Sequence, residues 1–220
     1  MRKLLKVAAP GLAAVLLTVF AGAAGSLHVQ KMTLPAPEAG LSYNCAYPRV
    51  EGIQNLSRQQ MLNVRFQEKA LSARSAAALA HREHPGQVTG AFSYDVTRNR
   101  DGLLSVRLTD TLTRGGETRT RRQGVTVDTV SGQTYRLGDL FLTGADYTGA
   151  LREQIEKQTD SAARKTAAAI SPYAEFYMTD DALVVIAGQP GGAAGRETAE
   201  YSIPLKSLEG YWKPSLRLGT

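Results

Sequence analysis

From residue 92 to residue 128 apolar and polar side chains alternate with a period of two, and this constrains the fold more than any other feature of the chain. Phe92, Tyr94 and Val96 alternate with Ser93, Asp95 and Thr97. Leu104, Val106, Leu108 and Leu112 alternate with Ser105, Arg107, Thr109 and Thr111, and Val125 and Val127 with Thr126 and Asp128. Side chains of a strand point to opposite faces in turn, so each segment reads as a strand with one apolar and one wetted face, as in an antiparallel sheet. Asp101-Gly102 and Gly115-Gly116 supply hairpin turns, because glycine accepts the positive φ such turns need. The expected unit is a three-strand meander with Phe92, Tyr94, Leu104, Val106, Leu108, Val125 and Val127 buried on one face.

The flanking segments complete an α+β reading. A short strand is expected over residues 43–50. A helix over residues 57–84 follows, with Leu62, Phe66, Ala73, Ala77 and Ala80 at helical spacing, Asn55 or Ser57 as its cap and Pro85-Gly86 as its stop. After a short strand at residues 133–136 and a compact turn at 137–141, a second helix is expected over 146–170, with Leu151, Ile155 and Ala162 inward and Pro172 ending it. Residues 176–178, 182–187 and 197–203 read as the last strands. The predicted fold class is α+β: a mainly antiparallel sheet with two long helices covering one face, preceded by an N-terminal export helix.

Export is read from the first 25 residues. Arg2, Lys3 and Lys6 precede an uncharged stretch that lasts until Lys31, and Ala21-Gly22-Ala23 offers the small residues a signal peptidase accepts. The stretch is also about long enough to span a bilayer, which takes roughly 20 residues. Cleaved signal and retained anchor both remain open, and either one places the rest outside the cytoplasm. A membrane contact is expected only through residues 4–25, if they are kept. Residues 1–25 are thus a signal peptide or anchor, 26–41, with Pro35, Pro37 and Gly40, a linker, and 42–220 a single extracytoplasmic domain.

Arg2, Lys3 and Lys6 also supply three of the net +6 charge. The modest surplus left does not point to nucleic acid. Cys45 is the one cysteine, so no disulfide forms within the chain; it reads as a small buried side chain or a reactive thiol.

No catalytic motif is present: no Gly-x-Ser-x-Gly elbow, no phosphate loop and no dinucleotide fingerprint. Catalytic residues, cofactors and metals are therefore all expected to be none. His81 and His84 sit three apart on a helix without further ligands to complete a metal site, and His28 lies beside the export segment. Asp180-Asp181 reads as a turn rather than an acid–base pair. Two surfaces remain as partner-binding candidates. One is the loop after residue 188, where Gln189, Pro190 and Arg196 stand among glycines and Arg196 offers a planar donor fork. The other is a basic hairpin with Arg114, Arg119, Arg121 and Arg122, in which Arg119 and Arg121 share a face; charge there also serves to discourage edge pairing.

Several segments resemble a known family. Tyr47-Pro48-Arg49-Val50-Glu51-Gly52 with Met61-Leu62-Asn63 resembles the opening of the domain of unknown function DUF4163. Residues 134–141, 176–184 and 201–208 resemble its partner domain DUF3298, so the likeness covers about residues 42–209. In that family the module forms the outer part of a lysozyme-sensing anti-sigma factor and an appendage of some peptidoglycan deacetylases. The resemblance implies an extracytoplasmic, non-enzymatic binding module that recognises a wall-associated protein or glycan. The alternative is a cell-wall hydrolase or deacetylase accessory, or an enzyme with an unrecognised site. Only Met1 to Lys6 precede the apolar stretch, so anti-sigma activity is not implied. The family's aromatic in the 188–196 loop is missing, so lysozyme recognition is not carried over.

Overall fold

The computed structural model describes residues 26–158, 170–188, 198–216 and 218. The expected export helix, the second helix beyond residue 158 with Ala162, and the loop with Gln189, Pro190 and Arg196 lie outside these residues. Among the described residues no helix is long and apolar enough to cross a membrane.

The architecture is α+β, built on two sheets rather than one. Strands β1 (His28–Leu34), β2 (Ser42–Glu51), β3 (Val88–Arg100), β4 (Leu103–Arg114) and β5 (Glu117–Asp128) lie in that order in the first. Strands β6 (Glu175–Met178), β7 (Ala182–Gly188) and β8 (Thr198–Pro204) form the second. Helix α1 (Leu56–Glu83) joins β2 to β3 and helix α2 (Tyr147–Glu156) precedes β6.

The meander folds as its periodicity requires. The β3–β4 and β4–β5 pairs are antiparallel about Asp101-Gly102 and Gly115-Gly116. Phe92, Leu104, Val106, Leu108, Val125 and Val127 are buried in one core, with Tyr94 packed against it. Val96 departs from the pattern at 39% exposure, because a bulge between Val96 and Arg98 shifts the register there.

Three expectations are corrected. The segment read as linker contains β1, which pairs antiparallel with β2 from His28↔Glu51 to Leu34↔Cys45. The sheet is mixed: β2 and β3 run parallel, since the 28-residue helix between them carries the chain back to the starting end. Finally, among the described helices α1 covers the first sheet, while α2, with 10 residues, covers the second through Leu151 and Ile155.

α1 is fixed at its start by polar side chains. Asn55 Oδ1 accepts from the Arg58 amide at 3.1 Å, a standard N-cap. Asn63 exchanges two hydrogen bonds with the Val50 backbone, at 2.7 and 2.9 Å, and Gln59 Oε1 accepts from the Gly52 and Ile53 amides. These bonds give the Val50-Glu51-Gly52 and Met61-Leu62-Asn63 motifs a shared task, tying the helix to the end of β2.

The supposedly wet face of the meander is covered at one end by the second sheet. Leu103 and Leu104 are neighbours and both buried, one in each core. Ser105 and Thr126 are 0% and 1% exposed, their hydroxyls 2.8 Å apart, and Ser105 Oγ accepts the Met178 amide at 2.8 Å. The second core is completed by Phe141, stacked between Tyr147 at 4.3 Å and Trp212 at 4.8 Å.

Candidate functional site

β5 is the outer strand of the meander, and its alternation puts Arg119 and Arg121 on one face, where Arg121 lines a cleft with α1, and Arg122 on the opposite face. There Arg122 Nε lies 3.4 Å from Glu200 Oε2. Register places Arg121 directly across from Asp110, and Asp110 across from Phe92, so the three side chains form one row. Above this row α1 presents Ser72, Ala73 and Ala76. Their small side chains leave a cleft of about 280 Å³, also lined by Lys69, Leu108 and Gln123.

The charges of this cleft are poorly satisfied. Lys69 Nζ donates to Gln123 Oε1 at 2.7 Å. The side chains of Asp110 and Arg121 make no hydrogen bond or close ion pair with any described residue. Burial holds the Asp110 carboxyl above its usual range, partly offset by Arg121. Burial likewise lowers the Lys69 ammonium, partly offset by Glu175.

A stability consequence follows from Asp110. Its folded value lies above the unfolded one, so its contribution favours the fold at acid pH and is lost as pH rises through the folded value. At neutral pH the ionised carboxylate opposes folding. Asp110→Asn is expected to be more stable than the parent chain at pH 7, with the advantage shrinking below the ordinary value of 3.8. Urea denaturation across that range checks this; a parent chain at least as stable as the variant at neutral pH would contradict it.

One turn earlier on α1, Arg65 enters a second cleft with Tyr135, Arg136, Tyr173 and Glu175. The Arg136 guanidinium sits over the Tyr173 ring, 5.3 Å from its centroid, and Tyr173 is 72% exposed. Exposed aromatics of this kind anchor recognition surfaces. In the sequence Tyr173 directly follows Pro172, and the helix stop is the one signal that stretch carries.

The other candidates fall elsewhere. Arg119 lies on the Arg121 face but opposite Leu112, one row beyond the cleft lining. Gln189, Pro190 and Arg196 are outside the described residues. No group of three or more His, Cys, Asp or Glu residues able to hold a metal ion occurs among the described residues. The His84 amide closes α1 by donating to Ala80 O, and His28 is exposed on β1. Asp180 and Asp181 occupy the β6–β7 turn with separate partners: Asp181 accepts from Thr179 Oγ1 at 2.8 Å, and Asp180 pairs with Arg100 at 2.9 Å. Cys45 is buried with Sγ 3.8 Å from Ala70 O, and burial pushes its thiol up to about 11.

The chain matches no protein-family model and no curated protein. Its fold is similar to the crystal structure of a DUF3298 family protein from Pseudomonas aeruginosa PAO1, with a TM-score of 0.57 and 16% identity over 88% of this chain and 96% of that one. It is similar also to a DUF3298 family member from Bacteroides fragilis NCTC 9343, with a TM-score of 0.55 and 16% identity over 87% of this chain and 96% of that one. The chain thus has the fold of DUF3298 family structures. The first-half likeness to DUF4163 rests on the sequence motifs alone.

Proposed function

We propose that this chain is a non-enzymatic binding module of the cell envelope, exported across the cytoplasmic membrane, which recognises a wall-associated protein or glycan through the cleft between α1 and β5. The observation that carries the reading is the set of charges around one cleft, half-buried at Lys69 and Asp110 and exposed at Arg121, which make no close ion pair with one another. Holding unpaired charges at a cleft costs stability, and function is the usual reason such a cost persists. The charged N-terminus, apolar stretch and small-residue site supply the export half of the reading.

Co-sedimentation of the purified chain with insoluble cell wall, and capture on immobilised envelope protein, test the proposal. Binding to one of them is expected, falling as salt rises, and about tenfold weaker for the Lys69→Ala, Arg121→Ala double variant. A chain that binds neither, or whose binding ignores that double substitution, would sink it. The perturbed carboxyl of Asp110 favours a second reading, an enzyme acting on wall material, since general acids are tuned this way. Release of soluble fragments or acetate during the incubation, abolished by Asp110→Asn, would replace the first reading by this one.

A further inference from the structure

The α1–β5 cleft carries charges of both signs, and their arrangement restricts what it can take. Lys69 and Arg121 suit a carboxylate. A phosphate or sulfate, lacking a cationic end, would face Asp110 with like charge. A simple cation would face the two basic groups. Phe92 and Leu108 provide an apolar floor, and Ser72, Ala73 and Ala76 a shallow roof. The volume of about 280 Å³ sits just below the usual small-molecule range of about 300–1,000 Å³.

We propose that the cleft binds a zwitterion of amino-acid or dipeptide size, its carboxylate between Lys69 and Arg121, its ammonium group at Asp110 and its side chain over Phe92 and Leu108. The proposal rests on the reading of this cleft as the binding surface and names the chemistry it selects. Gln123, which accepts from Lys69, holds the lysine beside the carboxylate position. Such a ligand serves all three residues together: its carboxylate faces the two basic groups, and its ammonium adds to the partial offset that Arg121 already gives the half-buried Asp110. Free amino acids and the ends of peptides share this chemistry.

The test uses free alanine and alanyl-alanine, each as both enantiomers, with N-acetyl-alanyl-alanine and alanyl-alanine amide as blocked controls. Binding is read by calorimetry and by amide NMR shifts. At least one unblocked probe is expected to shift residues at Lys69, Asp110 and Arg121, and each blocked control to bind about tenfold weaker or less. Alanine binding as well as the dipeptide assigns the site to free amino acids; tighter binding of the dipeptide assigns it to peptide ends. Asp110→Asn should erase the preference for a free ammonium group while keeping that for a free carboxylate. Ala76→Leu, which fills the cleft from an exposed helix position, should abolish binding with the fold intact by circular dichroism. Equal binding of blocked and unblocked probes, or no shift with any probe, overturns the proposal. Wall or envelope-protein binding that survives such a result would leave the broader function standing.

Discussion

Gly124→Ala is expected to destabilise the protein by about 4 kcal/mol or more, the range reserved for clashes and cavities that the fold cannot absorb. Gly124 lies on β5, with its missing side chain directed at β6. A Cβ there would fall inside the Phe176 carbonyl group and within 3.0 Å of the Tyr177 nitrogen. The obstacle is backbone, not a flexible side-chain end, so relief requires moving one sheet against the other. The approach is fixed elsewhere too: the Gly124 amide donates to Glu175 Oε2 at 3.2 Å, and Ser105 holds the Met178 amide. Gly86→Ala is the control. Gly86 has φ +74° with nothing within 4 Å of an added Cβ, so it should cost only the left-handed penalty of about 1–2 kcal/mol. Urea and thermal denaturation of both variants decide the matter; a Gly124→Ala protein no less stable than Gly86→Ala would show that the sheets are not locked there.

The same contact explains where sequence reasoning stopped. Period-two alternation reports which residues share a face, and it located the buried row from Phe92 to Val127 correctly. It cannot report whether a polar face meets water or another strand. Ser105 and Thr126 read as wetted because hydroxyls satisfy that pattern, yet they bond each other and the β6 backbone. One signal was available: Leu103 and Leu104 are consecutive leucines, which a strand wetted on one face does not need. β1 was hidden for a different reason, since its partner strand, not its own composition, makes it a strand. The site was half legible. The hairpin about Gly115-Gly116 fixes Arg121 opposite Asp110 by counting outward from the turn. Lys69 could not be added, because its place depends on how α1 docks on the sheet.

A second large effect is expected at Arg98, whose side chain is 2% exposed. A bulge after Val96 turns it toward the second sheet, where Nη1 donates to the Thr179 and Asp180 carbonyls at 3.1 and 3.2 Å, and Nη2 donates to Asp101 Oδ2 at 2.8 Å. One guanidinium thereby joins the β3–β4 turn to the β6–β7 turn. Arg98→Met keeps most of the apolar stem but leaves those carbonyls without their charged donor. The cost should be about 3 kcal/mol, in the range for lost hydrogen bonds to a buried charge. Asp101 is half exposed, and water limits the loss on that side. Arg98→Lys should recover only part of the stability, because an ammonium is a point charge and cannot reach three acceptors with a planar fork. Arg100 gives the comparison: it pairs with the same Asp180 but is 54% exposed, so Arg100→Ala should cost under about 1 kcal/mol. If urea denaturation finds Arg98→Met no more costly than Arg100→Ala, the two turns are held together by their apolar neighbours and not by this side chain.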